Sequence, residues 1–124
     1  MRPCAATVDN ARDFDVARAL ENVEGDRVLL KRMMDAFDRQ TPKVISAIDA
    51  AIAEGDAPGV ASAAHKIAGS LGAFGAHAAV DLARRLEALA RCGDLAGADA
   101  VHTELVRAVN ALHSAFVDFK AEAA

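Results

Sequence analysis

Apolar residues recur at intervals of three and four along most of the chain, the period of a single helix face. The longest run is Leu30, Met33, Met34, Phe37, Thr41, Val44, Ile45, Ile48 and Ile52. It predicts a long helix that Asp26 can cap and Gly55 ends. Pro42 falls inside it and removes a backbone donor, which predicts a kink near residues 38–42. The stripe keeps its phase across Pro42, so the expectation is one bent helix rather than two. Asp56-Ala57-Pro58 is a second start, a capping acid with proline in the first turn. Val60, Ala64, Ile67, Leu71 and Phe74 write that helix's inner face, and Gly72-Ala73-Phe74-Gly75 closes it. A further helix is predicted from about Ala76 to Cys92, with Ala79, Leu82, Leu86 and Leu89 inward and Gly93 as its stop. Asp94 can cap the last, whose stripe is Ala98, Val101, Leu105, Ala108, Leu112, Phe116 and Phe119. Ahead of these four, Asp13 can cap a short helix through Phe14, Val16, Ala19, Leu20 and Val23. Residues 1–12 show no periodicity and read as a flexible tail.

Four amphipathic helices joined by short turns pack most simply as antiparallel neighbours. The predicted fold is therefore all-α: an up-down-up-down four-helix bundle with a short extra N-terminal helix, forming one domain over residues 13–120. Composition agrees. Alanine, the strongest helix former, supplies about a quarter of the chain, and Tyr and Trp are absent.

Charge and cysteine content narrow the function classes. The net charge of −4 comes from interleaved acids and bases, and no basic stripe suggests nucleic-acid binding. Cys4 and Cys92 make neither a disulfide framework nor a metal motif, and they read as free thiols. No signal peptide or membrane-length apolar run is present, so the expectation is a cytoplasmic, monomeric protein with no membrane partner. His77, His102 and His113 lack the three- or four-residue spacing of a ready metal site and read as solvent-facing or helix-end residues. Met33 and Met34 keep the core spacing with Phe37. The run Arg84, Arg85, Glu87 and Arg91 reads as a solvated face.

One stretch departs from these ordinary readings: Ala61-Ser62-Ala63-Ala64-His65-Lys66-Ile67-Ala68-Gly69-Ser70-Leu71-Gly72. Relative to the core direction of its helix, His65 lies roughly 140° round, on the solvent side. Gly69 lies about opposite the core with Ser62 close to it, and Ala61, Ala68 and Gly72 flank His65. A solvent face normally carries long charged side chains, and Gly69 costs about 1 kcal/mol against alanine in a helix interior. Small residues would let another surface approach the ring, although a helical glycine can equally reflect tight internal packing. Lys66 adds a cation able to stabilise a phosphoryl dianion. Imidazole is a nucleophile when neutral and titrates near physiological pH. Position alone does not choose between the two ring nitrogens.

The segment His65-Lys66-Ile67-Ala68-Gly69-Ser70 resembles the signature of histidine phosphotransfer (HPt) domains of two-component phosphorelays. In that family an apolar residue follows the histidine by two places, a glycine by four and a small residue after that. Phe74-Gly75-Ala76 fills the place of the family's glycine-rich turn, and Leu86-Glu87 matches its Leu-Glu on the next helix. The similarity runs from about Phe14 to Phe119. It implies that His65 is the phosphoacceptor, through Nε2, and exchanges its phosphoryl group with an aspartate of a response-regulator receiver domain. It further implies a sensor or hybrid histidine kinase upstream, with Lys66 and Gly69 bordering the site and Glu87 near the imidazole. The expected docking surface is Lys66, Gly69, Ser62, Ala61, Ala68, Gly72 and Glu87. No phosphate-cradling loop or kinase signature is present, so a carrier is expected, without cofactor or metal, rather than an enzyme. Many members carry lysine three residues after the histidine, where this chain has Ala68. That departure keeps open an alternative: a module that docks a receiver or kinase and accepts no phosphate.

Overall fold

The computed structural model describes residues 14–123, which form five helices: α1 (Val16–Asn22), α2 (Arg27–Glu54), α3 (Ala57–Ala73), α4 (His77–Arg91) and α5 (Leu95–Ala123). The predicted caps at Asp26, Asp56 and Asp94 are in place. Each carboxylate accepts a backbone N–H three residues on, from Leu29, Gly59 and Gly97 at 2.9–3.0 Å, satisfying a donor the helix leaves unpaired. The cap expected at Asp13 lies outside the described residues, as does the lead-in of residues 1–12. Within them, Asp15 caps α1 by accepting from Arg18 N, and Phe14 precedes the helix instead of belonging to it. α2 runs unbroken through Pro42.

Short turns bring α2 to α5 into sequence, each long helix packing on the next, and α2 closes the ring against α5. α3 and α4 make the most extensive contact. Both bury alanine: Ala61, Ala64 and Ala68 on one, Ala79, Ala83 and Ala90 on the other. Small side chains let helix axes approach closely. This corrects the expected inner face of α4. Ala83 and Ala90 are buried beside Ala79 and Leu86, while Leu82 and Leu89 are only half-buried. The closest helix contact selects the smaller side chain, and the leucines close its edges.

The five phenylalanines, Phe14, Phe37, Phe74, Phe116 and Phe119, meet in one cluster with centroids 4.7–6.2 Å apart, mostly edge to face. Such pairs add about 0.5–1.5 kcal/mol each beyond the area they bury. The cluster ties the chain before α1 and the α3–α4 turn to α2 and α5. Two hydrogen bonds brace the same turn: Asp15 N–H donates to Phe74 O at 3.1 Å, and Asn22 Nδ2 to Ala73 O at 2.8 Å. Gly75 sits in this turn with φ +64°, and a Cβ there would lie 2.7 Å from Asp15 Cβ, so both backbone and space require glycine.

His102 overturns its expected solvent-facing placement. It is 3% exposed, among the inward residues of α5. Asp49 of α2 receives its Nε2 at 2.7 Å, which satisfies one nitrogen and lets the ring fill core volume; Nδ1 is buried without a partner. His77 is exposed at the first position of α4, and His113 is exposed against Asp38 at 3.0 Å. Met34 is fully buried and Met33 partly so.

Candidate functional site

His65 stands near the middle of α3 with 76% of its side chain exposed. Its exposure follows from the sequence pattern: Val60, Ala64, Ile67 and Leu71 take the buried face, leaving the ring outside. Ser62, Lys66, Gly69 and Gly72 are exposed with it. A Cβ built at Gly69 or Gly72 would meet nothing within 4 Å. The fold therefore gives neither glycine a packing reason, and the open space above α3 is available to another molecule.

Two residues expected on this face are recessed. Ala61 and Ala68 are 4% and 6% exposed. The buried arc of α3 is wider than the stripe used to define its core direction, because α3 packs against both α2 and α4. Ala61 still lines the open groove beside His65 as part of its floor, and Ala68 is buried. Lys66 diverges from the ring by one helical step of about 100°. It borders a groove of about 250 Å³ between α2 and α3, together with Phe37, Gln40, Ile67 and Ser70.

α4 supplies the partner of the imidazole. The Glu87 carboxylate lies 3.3–3.4 Å from His65 Nδ1, its two oxygens nearly equidistant. This is a long contact by hydrogen-bond standards, but it is directional, and only 16% of the Glu87 side chain is exposed. A carboxylate only accepts hydrogen bonds, so the neutral ring that satisfies this contact carries its proton on Nδ1 and has its lone pair on Nε2. Arg91, one turn on, donates to Glu87 Oε2 through Nε at 3.1 Å and Nη2 at 2.6 Å. The Arg91 hydrogen bond is the main reason that Glu87 ionises below the ordinary glutamate range. Desolvation opposes it, and His65 adds a smaller pull in the same direction.

Arg91 belongs by sequence to a run of solvated charges, and the structure pairs it with Glu87. The signal that could have singled it out is the i,i+4 spacing of Glu87 and Arg91, the orientation that favours a helical ion pair. A second groove, about 600 Å³ and open to solvent, lies beside His65 between the start of α3 and the end of α4; Pro58, Ser62, Arg91 and Gly93 line it. Among the described residues no helix is long and apolar enough to cross a membrane, and no three His, Cys, Asp or Glu side chains gather as a metal site.

Comparison with known proteins bears on this arrangement. The family model of the Hpt domain matches residues 32–115. The fold is similar to the crystal structure of histidine-containing phosphotransfer protein B from Pseudomonas aeruginosa PAO1, with a TM-score of 0.83. The match has 22% sequence identity and covers 89% of this chain and 96% of that one. Among curated proteins none matches the sequence.

Proposed function

The chain belongs to the Hpt domain family, and from that premise we propose that it relays a phosphoryl group between His65 and aspartates of response-regulator receiver domains. The observation that carries this reading is the exposed imidazole of His65, held at Nδ1 by Glu87 with Nε2 turned outward.

The chemistry follows from that orientation. The Nε2 lone pair attacks the phosphorus of an aspartyl phosphate on the receiver. The N–P bond forms as the acyl P–O bond breaks, and the receiver's carboxylate leaves. No proton must first depart from Nε2, because Nδ1 carries it. The ring gains positive charge as the bond forms, and the Glu87 carboxylate offsets that charge where it develops. The reverse step uses the same atoms. Mg²⁺ and the groups that polarise the phosphoryl oxygens belong to the receiver. The carrier contributes a nucleophile on a rigid helix, with Gly69, Gly72 and Ser62 leaving room for the receiver and Lys66 at its edge. A sensor or hybrid histidine kinase would be the upstream source, a monomer the working unit and the cytoplasm its compartment.

The test is transfer from a ³²P-labelled receiver domain. Label is expected on the wild-type chain, labile in acid, and absent from His65→Gln. Receiver binding with no label on the wild type would leave only the docking role.

A further inference from the structure

We propose that Arg91 is a positioning residue for His65, acting through Glu87 to hold the imidazole in the tautomer that leaves Nε2 free. The inference rests on the reading of His65 as phosphoacceptor and concerns what makes that nitrogen available.

A free neutral imidazole prefers to carry its proton on Nε2, which would block the outward nitrogen. A site that uses Nε2 must work against this preference. An ionised carboxylate at Nδ1 does so, because it only accepts hydrogen bonds and Nδ1 must then donate. Glu87 is in that place, and it is the one acid in ion-pair contact with the ring among the described residues. Its hold is weak in two respects. The contact is 3.3–3.4 Å long, and a glutamate on a helix surface has rotamers that turn it to solvent. A neutral carboxyl would also be able to donate to Nδ1, favouring the wrong tautomer.

Arg91 removes both weaknesses. Its Nε and Nη2 converge on the single oxygen Oε2, which fixes the carboxylate's direction and leaves Oε1 without a competing donor, 3.4 Å from Nδ1, with Oε2 itself at 3.3 Å. The same contact keeps the carboxyl ionised against the effect of burial. Lys66, next to His65 on its own helix, borders the α2–α3 groove, and among the described residues the cation paired with Glu87 besides the ring is Arg91. Orienting partners of this kind, one bond removed from the working group, are typically worth about 10–100-fold in function.

The experiment compares wild type with Arg91→Gln, Arg91→Lys, Glu87→Gln and the double variant carrying both glutamines. Three quantities are read. The imidazole ¹⁵N spectrum of the unphosphorylated protein reports the tautomer, the Glu87 side-chain ¹³C shift reports carboxyl ionisation, and phosphoramidate, a small donor that releases ammonia as the Nε2–P bond forms, reports the rate of His65 phosphorylation. Arg91→Gln should shift the tautomer toward Nε2–H, move the Glu87 titration to higher pH and slow phosphorylation by about tenfold. Arg91→Lys should recover much of the rate, and in the Glu87→Gln background the loss of Arg91 should have no further effect. An unchanged tautomer in Arg91→Gln overturns the proposal, as does a rate loss that persists in the Glu87→Gln background, since Arg91 would then act on the phosphoryl group directly. Wild-type protein that takes no label on His65 sinks the phosphoacceptor reading instead, and the tautomer measurement is independent of it.

Discussion

Of the three histidine–carboxylate pairs among the described residues, those at His65 and His102 are built in opposite senses. At His65 the imidazole is 76% exposed and its partner Glu87 is 16% exposed, at 3.3–3.4 Å. At His102 the imidazole is 4% exposed and its partner Asp49 is 65% exposed, at 2.7 Å. In the first pair the acid is anchored and the ring is presented. In the second the ring is anchored and the acid reaches in from solvent to satisfy it. The same two functional groups thus give a presented ring on α3 and a packing element on α5, and the difference lies in which member the helices bury. Burial with one satisfied nitrogen turns His102 into core volume. Exposure with one oriented nitrogen is what the proposed phosphoacceptor role of His65 requires.

Substitutions that treat the two rings alike should separate them. His65→Gln should reduce phosphoryl labelling from a receiver below detection and leave the urea midpoint unchanged, because the side chain buries little. His102→Ala should do the reverse. Loss of a buried ring costs on the order of 2–3 kcal/mol, read as a lower urea midpoint, while the folded fraction is labelled at the wild-type rate. A folded His102→Ala protein that no longer accepts label would erase the distinction between the pairs.

A smaller effect sharpens the account of the presented ring. Gly69→Ala should stabilise α3 by about 0.5–1 kcal/mol, since alanine is the better helix former and its Cβ has free space. Transfer from a receiver should slow severalfold, while labelling by phosphoramidate stays the same. Equal slowing with both donors would mean that Gly69 serves the ring itself and not the approach of a partner. The smallest effect concerns a pair that involves neither His65 nor His102. Lys120 donates to Asp35 at 2.7 Å and holds that carboxyl below the ordinary aspartate range. A depressed folded-state pKa contributes stability above the ordinary range, and this is lost as pH falls through the folded value. Lys120→Met should therefore lower the urea midpoint slightly at neutral pH and converge with wild type in acid.

Much of the fold was legible because helices advertise themselves locally. The caps at Asp26, Asp56 and Asp94, the stop at Gly55 and the core stripe of α3 depend on neighbours within a turn or two. The position of His65 outside that stripe followed from helical angle alone. Local pattern does not carry width or distance. The stripe of α3 gives a direction for the core but not the breadth of the buried arc, which two neighbouring helices set together and which takes in Ala61 and Ala68. Hydrophobicity gives Leu82 and Leu89 the inner face of α4, whereas the close approach to α3 prefers Ala83 and Ala90. The partner that lets His102 be buried, Asp49, lies 53 positions away.

The sequence by itself determined the helical segments, the turns between them and a histidine facing outward among small residues, since each of these follows from spacing along one helix. The family resemblance pointed to Glu87, but only the tertiary structure decided that it meets the ring at Nδ1 and that Arg91 supports it. Those contacts join α3 to α4 across 22 positions, and their geometry is set by how closely two alanine-lined helices pack.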